Sequence, residues 1–315
     1  TSRMCGTYKL RQCVWAVFIH KNGGKAMIDL QKGDCLELMK NIPDKSIDCV
    51  ITDPPYEYLN HRLDRKFDEK AVFKQWDRIV KDNGFLVFFG RGESFHRWNY
   101  FLNSMGWKFK EEIIWDKRRV SNIMGPIGRC HETISILTKK GKVRKIRVPY
   151  LQKNQYDFKK IKNDLARLSG AVGNPQKLLE IKKYVLKKEI DYNRATPDGL
   201  SLKGNTKLLS MEIAPAKMIF EGIREQSIIA QTAVRSRKKR VHPTQKPVKL
   251  MERLIRLVSD DNDLILDPFM GSGSTGVACT NLNRSFIGYE IEEDYFKTAQ
   301  QKIKEAQGKK ATELV

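Results

Sequence analysis

The sequence predicts an α/β fold: a doubly wound, largely parallel sheet with helices on both faces and an inserted, largely helical region. Short apolar, β-rich segments alternate with segments of helical periodicity, which is typical of a parallel sheet. A glycine-rich loop joins one predicted strand to a helix, and a long basic segment without the alternation separates two halves of the pattern. Ligands of such sheets bind at the carboxyl ends of the strands, so functional residues are expected there.

The predicted strands are short, apolar and rich in β-branched or aromatic residues: Ala26–Leu30, Ile47–Thr52, Phe85–Phe89, Glu112–Trp115, Thr133–Leu137, Leu264–Leu266 and Ser285–Tyr289. Apolar residues at helical spacing predict helices between many of these strands: Val72–Val80, Phe95–Leu102, Pro247–Val258 and Thr275–Asn281.

The segment order divides the chain into five parts. They are an N-terminal extension (1–26), the first half of the α/β domain (27–142), a basic region (143–240), the second half (241–307) and a tail expected to be frayed (308–315). The basic region is predicted to be largely helical, with helical spacing around Leu178–Leu186. Residues 139–191 hold 16 Lys and Arg against 5 Asp and Glu.

The charge of the chain favours a polyanionic partner. There are 59 Lys and Arg against 37 Asp and Glu, a net charge of +22. Phosphates that are neutralised by basic side chains release condensed counterions, which strengthens binding. A basic surface that is merely solvated is the alternative. The six cysteines are scattered without metal-ligand spacing, which argues against a disulfide framework or a structural zinc. No apolar run reaches the roughly 18 residues of a membrane span, and a signal peptide is not expected.

The glycine-rich loop predicts a nucleoside site. Gly271, Gly273 and Gly276 follow a short buried strand, and such glycines let the backbone approach a ligand and turn into a helix. Glu290 ends the next strand, where its carboxylate can accept hydrogen bonds from two ribose hydroxyls. Both NAD and S-adenosylmethionine fit this half-site. A P-loop does not, because no Lys-Ser or Lys-Thr pair follows the glycines.

The segment from Asp53 to Tyr56, Asp-Pro-Pro-Tyr, predicts chemistry on an amino group. Two prolines fix the backbone after the strand Ile47–Thr52, so a rigid turn presents a carboxylate, carbonyl groups and a ring. The exocyclic amine of a base is a poor nucleophile because its lone pair is delocalised. The Asp53 carboxylate and the Pro54 carbonyl could bind its hydrogens and direct the lone pair at a methyl group. Tyr56 could stack on a flipped base.

Together these motifs resemble the amino-group DNA methyltransferases, specifically their circularly permuted beta group. The resemblance covers about residues 27–138 and 241–300. The segments that carry it are Gly33–Leu36, Asp53–Tyr56, Ile113–Lys117, His242–Pro247, Asp267–Gly273 and Gly288–Glu290. The catalytic tetrapeptide precedes the glycine loop, with a variable region between them, which is the order of the beta group.

The resemblance implies a Rossmann-like, seven-stranded fold, circularly permuted to start at its third strand, that binds S-adenosylmethionine. Asp53, Pro54, Pro55 and Tyr56 would be catalytic. The implied cofactor residues are Asp267, Phe269, Gly271 and Gly273 at the methionine end, Glu290 at the ribose, Asp34 near the adenine, and His242 and Lys246 at the border of the pocket. The region 143–240 would read the DNA sequence.

Basic residues near the motifs are candidates for contacts with DNA: Lys117, Arg118, Arg119, Arg237, Lys238, Lys239 and Arg240. His131 and Glu132 lack the second histidine of an HExxH motif, so a structural or substrate-side role is favoured over a metal site.

The resulting hypothesis is a site-specific DNA methyltransferase that modifies adenine N6 of a flipped base in double-stranded DNA, without a metal and in the cytoplasm. Cytosine N4 is the nearest alternative, and an RNA or protein-glutamine methyltransferase is more distant. A DNA-binding regulator that has lost catalysis also stays open. A dehydrogenase would explain the glycine loop but not Asp53 to Tyr56. A homodimer and an accompanying restriction endonuclease are left open, and the recognition sequence is not predicted.

Overall fold

The computed structural model describes residues 26–56, 66–120, 127–154, 157–172, 218–219, 222–233 and 245–313. The chain divides into two compact units, residues 1–144 with 227–315, and residues 145–226. In chain order the described elements are β1 (Ile28–Lys32), α1 (Cys35–Met39), β2 (Ile47–Thr52), α2 (Glu69–Ile79), β3 (Val80–Gly90), α3 (Gly92–Ser104), β4 (Lys108–Asp116), β5 (His131–Thr138), β6 (Arg147–Val148), α4 (Tyr150–Asn154), α5 (Phe158–Val172), β7 (Ile223–Arg224), β8 (Ile228–Ala230), α6 (Val248–Val258), β9 (Leu264–Asp267), α7 (Ser274–Asn281), β10 (Ser285–Glu290) and α8 (Glu293–Glu313).

Within the described residues, the first unit is built on one eight-stranded sheet of order β1-β10-β9-β2-β3-β5-β4-β8. The five strands from β1 to β3 in this order are parallel, β5 is antiparallel to both of its neighbours, and β8 is parallel to β4. The first strand pairs with the last, Lys32 opposite Glu290, as a circular permutation requires. The α/β fold is therefore confirmed, and all seven predicted strands are present.

Two differences from the predicted strands concern the edges of the sheet. The first strand begins two residues later than predicted, at Ile28. The eighth strand, Ile228–Ala230, lies in the region predicted to have lost the alternation, and only three residues form it. Such a short segment has too few residues to show a period of two, so its pairing with β4 is set by tertiary contacts.

Helices cover both faces of this sheet. On one face, alternate residues of β3 such as Leu86 and Phe88 pack in a cluster with Trp76 of α2 and Trp98 of α3. On the other, Cys49 of β2 donates from its Sγ to a carbonyl at the end of α6. β2 is buried on both faces, as a central parallel strand must be.

The C-terminal helix corrects one prediction. A frayed tail was expected after Gly308, but α8 is helical through Glu313. Ile303 and Ala306 are buried, and Lys310 Nζ donates to the Thr280 carbonyl at 2.7 Å, which docks the last turns on α7. No described helix is both long and apolar enough to cross a membrane.

The second unit, residues 145–226, contains α4, α5 and a two-stranded antiparallel ladder formed by β6 and β7. The Tyr150 hydroxyl donates to Asp164 Oδ2 at 2.6 Å, and Lys160 pairs with the same carboxylate, so α4 is tied to α5. Burial and the neighbouring carboxylate raise the pKa of Tyr150. The helix predicted around Leu178–Leu186 lies outside the described residues.

Candidate active site

One edge of the sheet collects the acidic residues that the sequence singled out. The strands β1, β10, β9 and β2 are parallel, so their carboxyl ends meet there. Asp34, Glu290, Asp267 and Asp53 lie at or just beyond those four ends. Because β5 is antiparallel to its neighbours, its first residues, including Glu132, lie at the same edge.

The turn that begins at Asp53 continues the buried strand β2. Pro54 is buried, and Tyr56 is half-buried with its ring 6.1 Å from that of Trp98. The Tyr56 hydroxyl donates a short hydrogen bond to Asp53 Oδ1. The two side chains of the turn therefore hold each other, and the carboxylate is oriented from its own loop.

The second oxygen of Asp53 is bound by Lys246. Its Nζ lies 2.6 Å from Asp53 Oδ2 and 3.0 Å from Glu132 Oε2, and only 8% of the lysine side chain is exposed. Lys117 contacts the other oxygen of Glu132 at 2.9 Å. The four groups form a chain of alternating charge, Asp53–Lys246–Glu132–Lys117.

Aromatic rings enclose the Lys246 ammonium group. Its Nζ is 4.6 Å from the ring centroid of Phe89 and 5.8 Å from that of Trp115, within the range of cation–π attraction. Trp115 is itself fixed, since its indole N–H donates to the Gln231 carbonyl at 2.7 Å. The lysine is thus held in place by two carboxylates and two rings.

Burial and neighbouring charges act against each other in this network. Burial raises the pKa of Asp53; Lys246 opposes the rise and Glu132 adds to it. Burial would also raise the pKa of Glu132, but Lys246 and Lys117 outweigh it and lower that pKa. Burial would lower the pKa of Lys246, yet Asp53 and Glu132 raise it. Lys246 and Glu132 stay charged, while Asp53 has an increased affinity for a proton.

Asp267 joins the strand ends on either side of the site. Its Oδ1 accepts from Thr52 Oγ1 at 2.7 Å and from the Phe269 N–H at 3.1 Å, and its Oδ2 accepts from Thr275 Oγ1 at 2.6 Å. Burial raises the pKa of Asp267 to about 6, and the nearby charge of Asp53 contributes. Three protein donors hold this carboxylate, so it fixes the shape of the loop after β9.

Glu290 organises the glycine loop. Its Oε2 accepts from the Gly271 N–H at 2.9 Å, and its Oε1 accepts from the N–H groups of Ile291 and Glu292, both at 2.9 Å. Gly33 donates to the Glu290 carbonyl at 2.9 Å, which brings Asp34 beside it; Asp34 in turn caps α1 through the Leu36 N–H. Burial raises the pKa of Glu290, and the backbone donors oppose this.

The glycines of this loop are required for different physical reasons. Gly271 and Gly273 have φ values of 52° and 79°, which residues other than glycine rarely adopt. A Cβ on Gly276 would lie 2.4 Å from Ile303 Cδ1, so that glycine serves packing of α7 against α8. Phe269 borders the loop, with its ring 5.2 Å from that of Phe67.

These residues fit a bound nucleoside. An ionised carboxylate offers about four acceptor positions, and Glu290 uses three of them for backbone donors. The carboxylate of Asp34 accepts only one hydrogen bond among those described, at the cap of α1. Acceptors for hydroxyl groups, a loop with left-handed glycines and an aromatic ring thus meet at one strand edge.

The structure places the predicted site residues unevenly. It brings Asp53, Pro54, Pro55 and Tyr56 to the same edge as Asp34, Asp267, Phe269, Gly271, Gly273 and Glu290. Lys246, predicted at the cofactor, is bound to Asp53 in the turn after β2. Lys117, predicted at DNA phosphates, is 8% exposed and paired with Glu132, so it is not on an open surface. Arg118 is exposed and Arg119 half-buried.

Some predicted residues lie outside the described part of the chain: His242, Arg237, Lys238, Lys239 and Arg240. The sequence analysis favoured a structural or substrate-side role for Glu132 without naming its partners, and it did not identify Phe89. Glu132 is the second residue of β5. Because β5 is antiparallel to its neighbours, its start lies at the carboxyl edge of the parallel strands, and this direction is the signal that could have located Glu132 at the site. Within the described residues, no cluster of His, Cys, Asp or Glu could hold a metal ion.

The sheet order and the strand-edge site define the class: an S-adenosylmethionine-dependent methyltransferase with a circularly permuted fold. The crystal structure of the M1.HpyAVI–SAM complex matches it with a TM-score of 0.51 and 26% identity, covering 87% of this chain and 99% of that one. The cytosine-N4-specific PvuII DNA methyltransferase shares the fold at a TM-score of 0.51 and 15% identity, covering 91% of this chain and 95% of that one.

The chain belongs to the N6/N4 DNA methylase family, whose sequence profile matches residues 47–301. The Type II methyltransferase M.HinfI of Haemophilus influenzae is 24% identical over 299 residues, 87% of this chain and 67% of the relative. The Type II methyltransferase M.BglII of Bacillus subtilis is 25% identical over 291 residues, 86% of this chain and 68% of the relative. The protein is a DNA methyltransferase, and S-adenosylmethionine is its methyl donor.

Proposed function

We propose that the protein methylates N6 of adenine at a specific site in double-stranded DNA, with Asp53 to Tyr56 as the catalytic turn. The observation that carries the proposal is the oriented carboxylate of Asp53, one oxygen bound by Tyr56 and the other by Lys246. A carboxylate is a stronger acceptor for amino hydrogens than the serine hydroxyl that would favour cytosine N4 at this position. Methylation of cytosine N4 is therefore the outcome that the first experiment must exclude.

The turn would act by holding the target amine. Asp53 and the Pro54 carbonyl accept its two hydrogens, which favours a pyramidal nitrogen whose lone pair is free to attack. Pro55 keeps the backbone rigid, and Tyr56 stacks on the flipped base. Bound S-adenosylmethionine supplies an electrophilic methyl group on a sulfonium centre. The residues of the chain contribute orientation and exclusion of water, and no metal is required.

The cofactor residues follow from the same edge. Glu290 would accept from the ribose through its remaining acceptor position, and Asp34 would lie near the adenine ring. Gly271, Gly273 and Phe269 would line the methionine end, while Asp267 holds their loop. His242 would border this pocket.

DNA would be bound at the same edge and by the basic region. Arg118 and Arg119 follow β4 at that edge, and Arg237 to Arg240 form a dense cationic run. Phosphate contacts by such residues position the duplex, while residues 143–240 would read the sequence. The half of the chain on either side, 27–142 and 241–307, would form the catalytic domain.

The biological setting is part of the proposal. The two curated relatives come from bacteria and are Type II methyltransferases, which favours a restriction–modification setting with a companion endonuclease. An enzyme that modifies DNA works where the chromosome lies, so a cytoplasmic, nucleoid-associated location is inferred. A homodimer is also compatible with the proposal.

The target base is tested by mass spectrometry. Unmethylated genomic DNA is incubated with the protein and S-adenosylmethionine, digested to nucleosides and analysed. The expected product is N6-methyl-2′-deoxyadenosine. N4-methylcytosine alone would replace the proposal with its alternative, and sequencing of the same DNA with modified-base detection would give the site.

The catalytic turn is tested by Asp53→Ala. Methyl transfer should be lost while calorimetry shows that the affinity for S-adenosylmethionine is kept. Asp48→Ala serves as the matched control, because Asp48 lies on the same strand at its other end and pairs with Lys81. Full activity of Asp53→Ala would remove the proposed mechanism.

A further inference from the structure

We propose that Lys246 and Glu132 are positioning residues for the methyl transfer: Lys246 fixes one oxygen of Asp53, and Glu132 competes for the same ammonium group. The inference rests on the proposed function, since it concerns how Asp53 is prepared for the target amine. Neither residue is required to touch the base.

The geometry gives Lys246 a defined location. Its ammonium group lies 2.6 Å from Asp53 and 3.0 Å from Glu132, and 4.6 Å from the ring of Phe89. A buried lysine without compensation would lose its proton or leave the site. Here two carboxylates and a ring compensate for burial, so the cation stays and Asp53 Oδ2 has a fixed partner.

Glu132 prevents this partner from binding Asp53 too strongly. If Lys246 faced Asp53 alone, its charge would act on that carboxylate undivided, and Asp53 would be a weaker acceptor of hydrogen bonds and protons. Glu132 takes a share of the same ammonium group, and Lys117 balances Glu132 from its other side at 2.9 Å. The chain of four groups is neutral overall, which suits a buried site.

The need for a basic Asp53 arises from the reaction. The base nitrogen forms a bond to the methyl carbon as the S–C bond breaks. The electron pair of the S–C bond remains on sulfur, and the base nitrogen becomes cationic. One N–H bond must then break, with its electron pair returning to nitrogen and its proton passing to an acceptor. Asp53 is the group of the network that can take this proton, because Lys246 is already protonated and Glu132 is held ionised by two lysines.

The test compares pH profiles of the single-turnover rate on DNA for Glu132→Gln and Lys246→Met. In Glu132→Gln the charge of Lys246 acts on Asp53 alone. The acidic limb of the pH–rate profile should therefore move to lower pH, and the plateau rate should fall. In Lys246→Met two carboxylates face each other without a cation, so the limb should move to higher pH. Each shift is expected to be roughly one pH unit, the effect of one neighbouring charge.

The double variant Glu132→Gln/Lys246→Met should have its limb between those of the single variants. Tyr56 on the turn and Asp267 on β9 also face Asp53, and neither is changed by these substitutions. Lys81→Met is the control, since it removes a lysine paired with Asp48 at the other end of the sheet and should leave the limb unchanged. Circular dichroism and calorimetry with S-adenosylmethionine verify that each variant is folded.

The outcomes separate the two proposals. Opposite shifts of the limb support the inference. Shifts in the same direction, or none, in folded variants would overturn it, provided that Asp53→Ala is inactive. An active Asp53→Ala would instead show that the proposed catalytic turn is wrong.

Discussion

Thr52 Oγ1 donates a hydrogen bond to Asp267 Oδ1 at 2.7 Å, although 215 positions separate the two residues in the chain. Thr52 is the last residue of β2, directly before the proposed catalytic turn, and Asp267 is the last residue of β9, directly before the glycine loop. Both are buried. This bond connects the ends of β2 and β9, so the position of the proposed catalytic turn depends on the glycine loop.

We predict that Thr52→Val lowers methyl transfer without abolishing it. Valine keeps the volume but leaves one oxygen of Asp267 short of a donor, which should cost about 1–3 kcal/mol of stability. The measurement is the free energy of unfolding together with the single-turnover rate.

The control for this variant is Thr280→Val. That buried hydroxyl bonds only the Gly276 carbonyl within its own helix among the contacts described. It should cost stability but leave the rate unchanged. Equal rates for Thr52→Val and wild type would show that the two halves are not coupled through this bond.

A second prediction concerns pH and the same carboxylate. The pKa of Asp267 is raised to about 6 in the folded protein, against about 3.9 in an unfolded chain. The folded state then holds the proton more tightly, so this group stabilises the fold below pH 4 and that stabilisation is lost as the pH rises through 6. Relative to Asp267→Asn, the wild type should lose roughly 3 kcal/mol across this window.

Urea unfolding at several pH values measures this difference, and subtracting the variant removes the contribution of the other groups. Asp82→Asn gives the comparison of opposite sign, because hydrogen bonds from Lys140 and Lys45 lower the pKa of Asp82. Its contribution should be present at neutral pH and lost on acidification. A difference between wild type and Asp267→Asn that does not vary with pH would contradict the assigned pKa.

Much of the fold was predictable from the sequence because its strands are locally distinct. β2 and β10 are continuous apolar segments, and their predicted bounds agree with the structure to within one residue. The pairing of Lys32 with Glu290 was not visible locally; the motif order of a permuted family suggested it. β8 was missed, since its three residues are specified by contacts rather than by pattern.

The site residues that belong to a sequence motif were predictable. Those whose location depends on burial and tertiary contacts were not. Asp53 and Glu290 were identified from their places at strand ends, and the structure puts them there. Lys117 was predicted as a surface residue from its basic neighbours, but the chain turns it towards Glu132. The ion pair of Lys246 with Asp53 joins residues that are 193 positions apart, and no local signal reveals such a contact.

A third prediction separates the glycines by environment. Gly273→Ala should destabilise the protein by about 1–3 kcal/mol and weaken binding of S-adenosylmethionine, because its φ is 79° and an added Cβ would lie 2.9 Å from Ala299 Cβ. Gly308→Ala should stabilise it by about 0.5–1 kcal/mol, since that position is helical and no atom lies within 4 Å of the new Cβ. Thermal unfolding and calorimetry measure both. Similar effects of the two variants would contradict the packing described for the loop.

A fourth prediction addresses Glu290, the proposed ribose acceptor. Glu290→Gln should weaken the affinity for S-adenosylmethionine at least about tenfold, since a hydrogen bond to a charged group contributes about 1.5–3 kcal/mol. The substitution also disturbs the bond from the Gly271 N–H. Glu293→Gln is the matched control: it removes an exposed carboxylate that pairs with Lys32 and Lys297. Calorimetry should show loss for the first variant only, and unchanged binding by Glu290→Gln would contradict its assignment.

The last prediction distinguishes neighbouring basic residues. Lys117 is buried against Glu132, whereas Arg118 is exposed at the same edge. Arg118→Ala should weaken DNA binding and reduce the slope of log affinity against log salt by about one, as loss of one phosphate contact does. Lys117→Met should leave that slope unchanged and move the acidic limb of the pH–rate profile to higher pH, because Glu132 loses its second cation and draws Lys246 away from Asp53. Fluorescence anisotropy at several salt concentrations gives the slope. A reduced slope for Lys117→Met would show that Lys117 contacts a DNA phosphate after all.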